Sequence, residues 1–140
     1  MTWLRRWEFT EAERELRRAI SLNPNYASAF QWLGRMVAFD GRLDGALIEA
    51  KRAAKIDPFS SRILANYGEC LSLAGRNTEA NTVLNRALAL QPNSDRALRL
   101  KASALIRLGQ FEEAVAVARQ FPAERPANQI RILGSVGAML

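Results

Sequence analysis

The stretch NPNYASAFQWLG, Asn23 to Gly34, returns in altered form as DPFSSRILANYG, Asp57 to Gly68, and again as QPNSDRALRLKA, Gln91 to Ala102. Pro24, Pro58 and Pro92 are spaced 34 residues apart. So are Gly41, Gly75 and Gly109, and so are Ala12, Ala46, Ala80 and Ala114; Ala19, Ala53 and Ala87 form a further series. Independent markers sharing one period in the range of about 20 to 50 residues mean stacked units, each too small to bury its apolar face alone.

Within a unit the apolar spacing is helical. Phe30, Leu33, Gly34 and Val37 follow the i, i+3, i+4, i+7 pattern of one helix face, and Leu64, Tyr67, Gly68 and Leu71 repeat it. Gly41, Gly75 and Gly109 fall where a helix would close in the left-handed conformation that glycine tolerates. A second helix follows, as in Leu43–Ile56, with Ala46, Ala50 and Ala53 on its packing side. Proline suits helix starts and not helix interiors, so each proline divides one unit from the next.

These residues resemble the tetratricopeptide repeat, whose pattern is W-x2-L-G-x2-Y…A-x3-F…P. Phe30, Leu33, Gly34, Val37, Ala46, Ala50, Ala53 and Pro58 match it once, and Leu64, Tyr67, Gly68, Leu71, Ala80, Leu84, Ala87 and Pro92 match it again. The resemblance implies an all-α, right-handed superhelical solenoid of antiparallel helix pairs over residues 1–140. Units are expected at about 1–26 (partial), 27–60, 61–94, 95–126 and 127–140, the last being a first helix without its second. Before Ala12 there is room for half a first helix, and Thr10 with Glu13 forms a capping box expected to start the second. Ala114, Ala118 and Phe121 begin a second helix that Pro122 cuts short. The apolar QIRILGSVGAML after Pro126 is poor material for a solvent-facing cap, so the chain reads as a piece of a longer array.

Composition narrows the function classes. The chain has 140 residues, is 49% hydrophobic and 24% charged, and carries a net charge of +6, mostly arginine. That mixture suits a folded domain, and no apolar run reaches the roughly 20 residues of a membrane span. The N-terminus has no apolar segment after its charges, which points to a cytoplasmic protein. Cys70 stands alone within YGECLSLAG and reads as a small packing residue. With no histidine, one cysteine and no glycine-rich phosphate loop, no catalytic constellation, metal site or cofactor site is expected.

The concave inner face of such a solenoid is lined by the first helix of each pair. At about 100° per residue, the face opposite Phe30, Leu33, Gly34 and Val37 holds Ser28, Gln31, Trp32, Arg35 and Phe39. The next unit contributes Arg62, Ala65, Asn66, Glu69 and Leu73, and the fourth Arg96, Arg99, Leu100, Ser103 and Arg107, with Arg131 continuing the row. Arg35, Arg62, Arg96, Arg99 and Arg107 converge there against Glu69, beside an apolar seam of Trp32, Phe39, Leu73 and Leu100. Arginine pairs bidentately with carboxylates, and tryptophan and arginine dominate binding hot spots. The resemblance implies protein interaction, so the expected partner is an acidic protein or peptide segment with hydrophobic anchors.

Other readings fit less well. The carboxylate clamp by which some tetratricopeptide domains hold chaperone C-termini is matched by Asn66 and Arg96, but not by Gln31 and Leu100, and Arg35 puts a charge where an amide belongs. A related helical-repeat family reads RNA one base per unit, and the corresponding triple here, Gln31, Ala65 and Arg99, looks like no code. Self-association through the apolar C-terminal helix as an isologous dimer is a further expectation. More faintly, WEFTEAERELRRAISLNPNYASAFQWL looks like the repeats that form C-terminal tails of bacterial winged-helix regulators and nucleotide cyclases.

Overall fold

A computed structural model describes residues 3–39, 41–121 and 126–139; the side chains of residues 3–7, 35, 38, 39, 126–128 and 139 lie outside that description. Among the described residues there are eight α-helices and no strand. They are α1 (Trp3–Leu22), α2 (Ala27–Phe39), α3 (Leu43–Ile56), α4 (Ser61–Leu73), α5 (Asn77–Leu90), α6 (Asp95–Arg107), α7 (Phe111–Ala118) and α8 (Pro126–Met139). Helices α2/α3, α4/α5 and α6/α7 form antiparallel pairs, and each first helix also touches the first helix of the neighbouring pair. None is long and apolar enough to cross a membrane.

The turns inside the pairs are built identically. Gly41, Gly75 and Gly109 have φ of 81°, 79° and 78°, a backbone region that favours glycine. After α4, the Arg76 N–H reaches back to the Leu71 carbonyl at 2.9 Å and the Gly75 N–H to that of Ser72 at 3.0 Å. The same two bonds close α6, from Gln110 to Leu105 and from Gly109 to Ile106. This arrangement satisfies carbonyls that a helix end otherwise leaves orphaned. At the start of α4 and α6, the Ser60 and Ser94 hydroxyls accept from the Ile63 and Ala97 amides.

The first helix departs from expectation. Thr10 lies inside α1, which runs unbroken for 20 residues, so there is neither a half-helix before it nor a cap at Thr10. The position one period before Gly41 is Trp7. A left-handed turn there would strain a residue with a side chain, and the helix continues instead. Helix α7, with 8 residues, is shorter than α3 and α5, as the approach of Pro122 implies.

Leucines and alanines at repeat-equivalent places fill the core. Leu33, Leu64, Leu71, Leu84, Leu98 and Leu105 are fully buried, as are Ala46, Ala80 and Ala114; Cys70 is buried among them. Within the α2/α3 and α4/α5 pairs the helices approach closely where α2 and α4 present a glycine. A Cβ added to Gly34 would lie 3.3 Å from the Ala46 carbonyl oxygen and the Ala50 nitrogen. One added to Gly68 would lie 2.7 Å from Leu84 Cγ. Gly134, on α8, would meet nothing within 4 Å.

An ion-pair cluster ties α1 to the following pair. The Glu13 carboxylate accepts from Arg42 at 2.8 Å and from Arg17 at 3.0 Å. The Arg42 hydrogen bond holds the Glu13 carboxyl below its ordinary 4.5; partial desolvation opposes this, and Arg17 adds to it.

Two predictions follow from this packing. Gly68→Ala should destabilise the chain by about 1–3 kcal/mol through overpacking against Leu84, whereas Gly134→Ala should raise stability by up to ~1 kcal/mol through helix propensity. Chemical denaturation of both variants checks the contrast. A depressed carboxyl pKa adds stability that is present above the unfolded value and lost as pH falls through the folded one. The thermal midpoint of the chain should therefore exceed that of Glu13→Gln at neutral pH, with the gap closing once pH falls below about 4.

Candidate functional site

The first helices α2, α4, α6 and α8 lie side by side, and the candidate residues on them differ widely in exposure. Trp32 is 47% exposed on α2, and Leu73 is exposed at the end of α4. Gln31 and Asn66, expected to face an open groove, are instead buried. Gln31 Oε1 and both amide atoms of Asn66 have no hydrogen-bond partner among the described residues. The side chains of Arg35 and Phe39 lie outside the described residues.

The arginines divide into two kinds. Arg62 donates to the Ser28 hydroxyl at a long 3.4 Å. Arg107 donates to the Ser72 hydroxyl at 2.7 Å and to the Ser72 carbonyl at 3.3 Å, meeting the C-terminal end of α4. Arg96 pairs with Glu69. Each of these reaches back to the preceding unit, so part of the arginine row joins unit to unit. Arg99 and Arg131 are exposed and have no ion-pair partner among the described residues.

Those two flank a groove of about 290 Å³ between α4, α6 and α8. Glu69, Arg96, Arg99, Leu100 and Ser103 meet there, joined by Ile106 and by Arg131, Ile132 and Ser135 of α8. Glu69, its one carboxylate, is already engaged by Arg96. Leu100 rests half-buried on the core, and Ile132 is buried, so the basic rim stands over apolar walls. Trp32, Leu73, Arg62 and Arg107 lie outside this groove.

Ser72, Ile106, Ile132 and Ser135 are the contributors that sequence reasoning missed. Ser135 follows Arg131 by one helical turn, so its place on that face was available from the spacing. Ser72 was not, because its role depends on Arg107, about one period away.

Comparison with known proteins agrees with this architecture. Family models described as tetratricopeptide repeat match residues 4–61, 40–103 and 71–135. No curated protein matches the chain. Among solved structures, a crystal structure of MamA superposes with a TM-score of 0.84 at 20% identity, over 95% of this chain and 77% of that one. YrrB, described as a TPR protein with an unusual peptide-binding site, gives a TM-score of 0.78 at 19% identity, over 94% and 69%. The TPR2B domain of yeast Sti1, in its pHsp70 complex, gives 0.75 at 17% identity, over 81% and 98%. Identities this low speak for a shared fold, here the right-handed superhelical solenoid of helix pairs. With its period, glycine turns, pair packing and family matches in agreement, the chain belongs to the tetratricopeptide repeat family.

Proposed function

We propose that this chain is a non-catalytic protein-interaction module that holds an acidic segment of another protein, with a hydrophobic anchor, in the basic groove between α4, α6 and α8. The observation that carries this reading is the pair Arg99 and Arg131, which face the groove with no carboxylate partner among the described residues while Leu100 and Ile132 supply apolar wall. An incoming carboxylate would receive charge-assisted hydrogen bonds there, and an adjacent apolar side chain would find cover. That YrrB has a peptide-binding site and the Sti1 domain forms a pHsp70 complex supports a peptide as the kind of partner. In this reading the groove is the start of a longer track over Arg62, Leu73 and Trp32, with Arg35 and Phe39 on the same helical face by sequence. A regulatory protein in the cytoplasm is the context we propose for it.

The experiment is titration of the chain with a synthetic peptide alternating glutamate and leucine, at rising salt. Binding should weaken with salt, as screened charge pairs do. The double reversal Arg99→Glu/Arg131→Glu should reduce affinity at least about tenfold, since each lost charged contact is worth about 1–3 kcal/mol. Helicity and melting should stay unchanged. Arg96→Glu is a poorer probe, because it would set a second carboxylate against Glu69. Retained affinity in the double variant would refute the groove assignment, and binding of homopolymer RNA at about 0.1 M salt would favour a nucleic-acid reading instead.

Trp32→Ala tests the far end of the track. A wholly buried tryptophan loses about 3–5 kcal/mol on truncation to alanine; a half-exposed one should lose less than ~2 kcal/mol. Urea denaturation reads this directly, and a larger loss would make Trp32 part of the core rather than the surface.

A further inference from the structure

Among the candidate residues of the first helices, Glu69 is the one acid. One period before it stands Arg35 and one period after it Ser103, so the repeat does not call for a carboxylate there. Nor does the stacking of units. Arg62 and Arg96 hold equivalent places, 34 residues apart. Arg96 pairs with the Glu69 carboxylate from α6 to α4, whereas Arg62 reaches the unit before it through the Ser28 hydroxyl. The same arginine position thus meets its preceding unit once with a carboxylate and once without. The Arg96–Glu69 pair is a feature of this groove and not a demand of the fold.

The pair also lies where a ligand would touch it. Glu69 and Arg96 line the groove beside Arg99 and Leu100, and their side chains are 36% and 32% exposed. An ion pair that water reaches contributes little to stability, so Arg96 can exchange partners at small cost. Arg96 precedes Arg99 by three residues on α6, and side chains at that spacing have Cβ atoms about 5–6 Å apart. Alternate residues of an extended peptide lie on one side at about 6.6–6.8 Å. A peptide with one carboxylate at Arg99 would therefore bring an acid two residues along to Arg96, where Glu69 already sits.

We infer, building on the groove proposed for acidic segments, that Glu69 restricts it to one ligand carboxylate and so determines its specificity. The first carboxylate takes Arg99 and Arg131, which carry no carboxylate partner among the described residues. A second one at Arg96 must displace Glu69 and then remain beside it, two like charges against one guanidinium. Glu69 is the chain's own version of the group that such a ligand would bring. Selection of this kind works by repulsion, penalising the wrong ligand without adding a contact to the right one.

Calorimetric titration of the 140-residue chain and of Glu69→Gln with two capped peptides tests this. Both peptides are built of serine and leucine; one carries a single glutamate, the other a second glutamate two residues away. The wild-type chain should bind the two within about threefold of each other, since the second acid adds a way to bind and no contact. Glu69→Gln keeps the shape of the side chain and frees Arg96. It should bind the diacidic peptide at least about tenfold tighter than the monoacidic one, the worth of one added charged contact. Adding Arg96→Gln to that variant should return the ratio to the wild-type value. Circular dichroism establishes that each variant is folded, and Glu69→Ser, which sets there the residue type of position 103, replaces Glu69→Gln should the latter fold poorly. An equal gain for both peptides would reduce Glu69 to a diffuse negative charge, and a loss for both would make it a support for Arg96. Either result, or a wild-type chain that already prefers the diacidic peptide tenfold, overturns the inference and leaves the groove standing. Failure of both peptides to bind both chains overturns the groove and the inference together.

Discussion

The close approach of the two helices in the α2/α3 and α4/α5 pairs is the contact on which the rest of the structure depends. Helix axes can come this near because Gly34 and Gly68 present backbone where other residues present side chain. Ala46 and Ala50 then lie against the first glycine, and Leu84 fills the second. That spacing sets how far each pair advances along the solenoid and how the next pair leans on it. The inner face follows as a consequence, because the first helices are brought side by side with one edge turned inward. Changing a residue at this contact moves the groove even though no groove residue is touched.

The fold was legible in the sequence because its contacts recur at a fixed period. A residue type that returns every 34 positions must be answering the same local demand each time. The left-handed φ of Gly41, Gly75 and Gly109 is that demand made visible for one series. The first unit was misread for a related reason. Thr10 and Glu13 satisfy the local grammar of a helix start, but a start requires that the preceding helix stop. Trp7 supplies no stop, so the helix runs through, and Glu13 serves the Arg42 and Arg17 pairs instead.

The candidate site was legible in direction and not in depth. Helical phase places Gln31 and Asn66 on one side of their helices, and a wheel drawn for one helix cannot show that both are buried once the helices pack. Depth is a property of three helices together. Of the arginines' partners, Ser28 and Glu69 already stood on the face that the spacing gave, while Ser72 did not, and all three belong to the unit before. These separations are close to one period, so the repeat itself points to where such partners lie.

The positive charge of the chain therefore has two uses that composition cannot separate. Arg96 and Arg107 are held by groups of the preceding unit and help to fix one pair on the next. Arg99 and Arg131 stand on adjacent first helices and face the same groove without such a hold. Their mutual repulsion is tolerable while solvent screens it, and a carboxylate placed between them would relieve it. Because the two belong to different helices, the charge that bridges them would also brace α8 against α6. If the proposed groove binds such a carboxylate, recognition and the rigidity of this end of the solenoid would be coupled, because the two arginines that would share it stand on different helices.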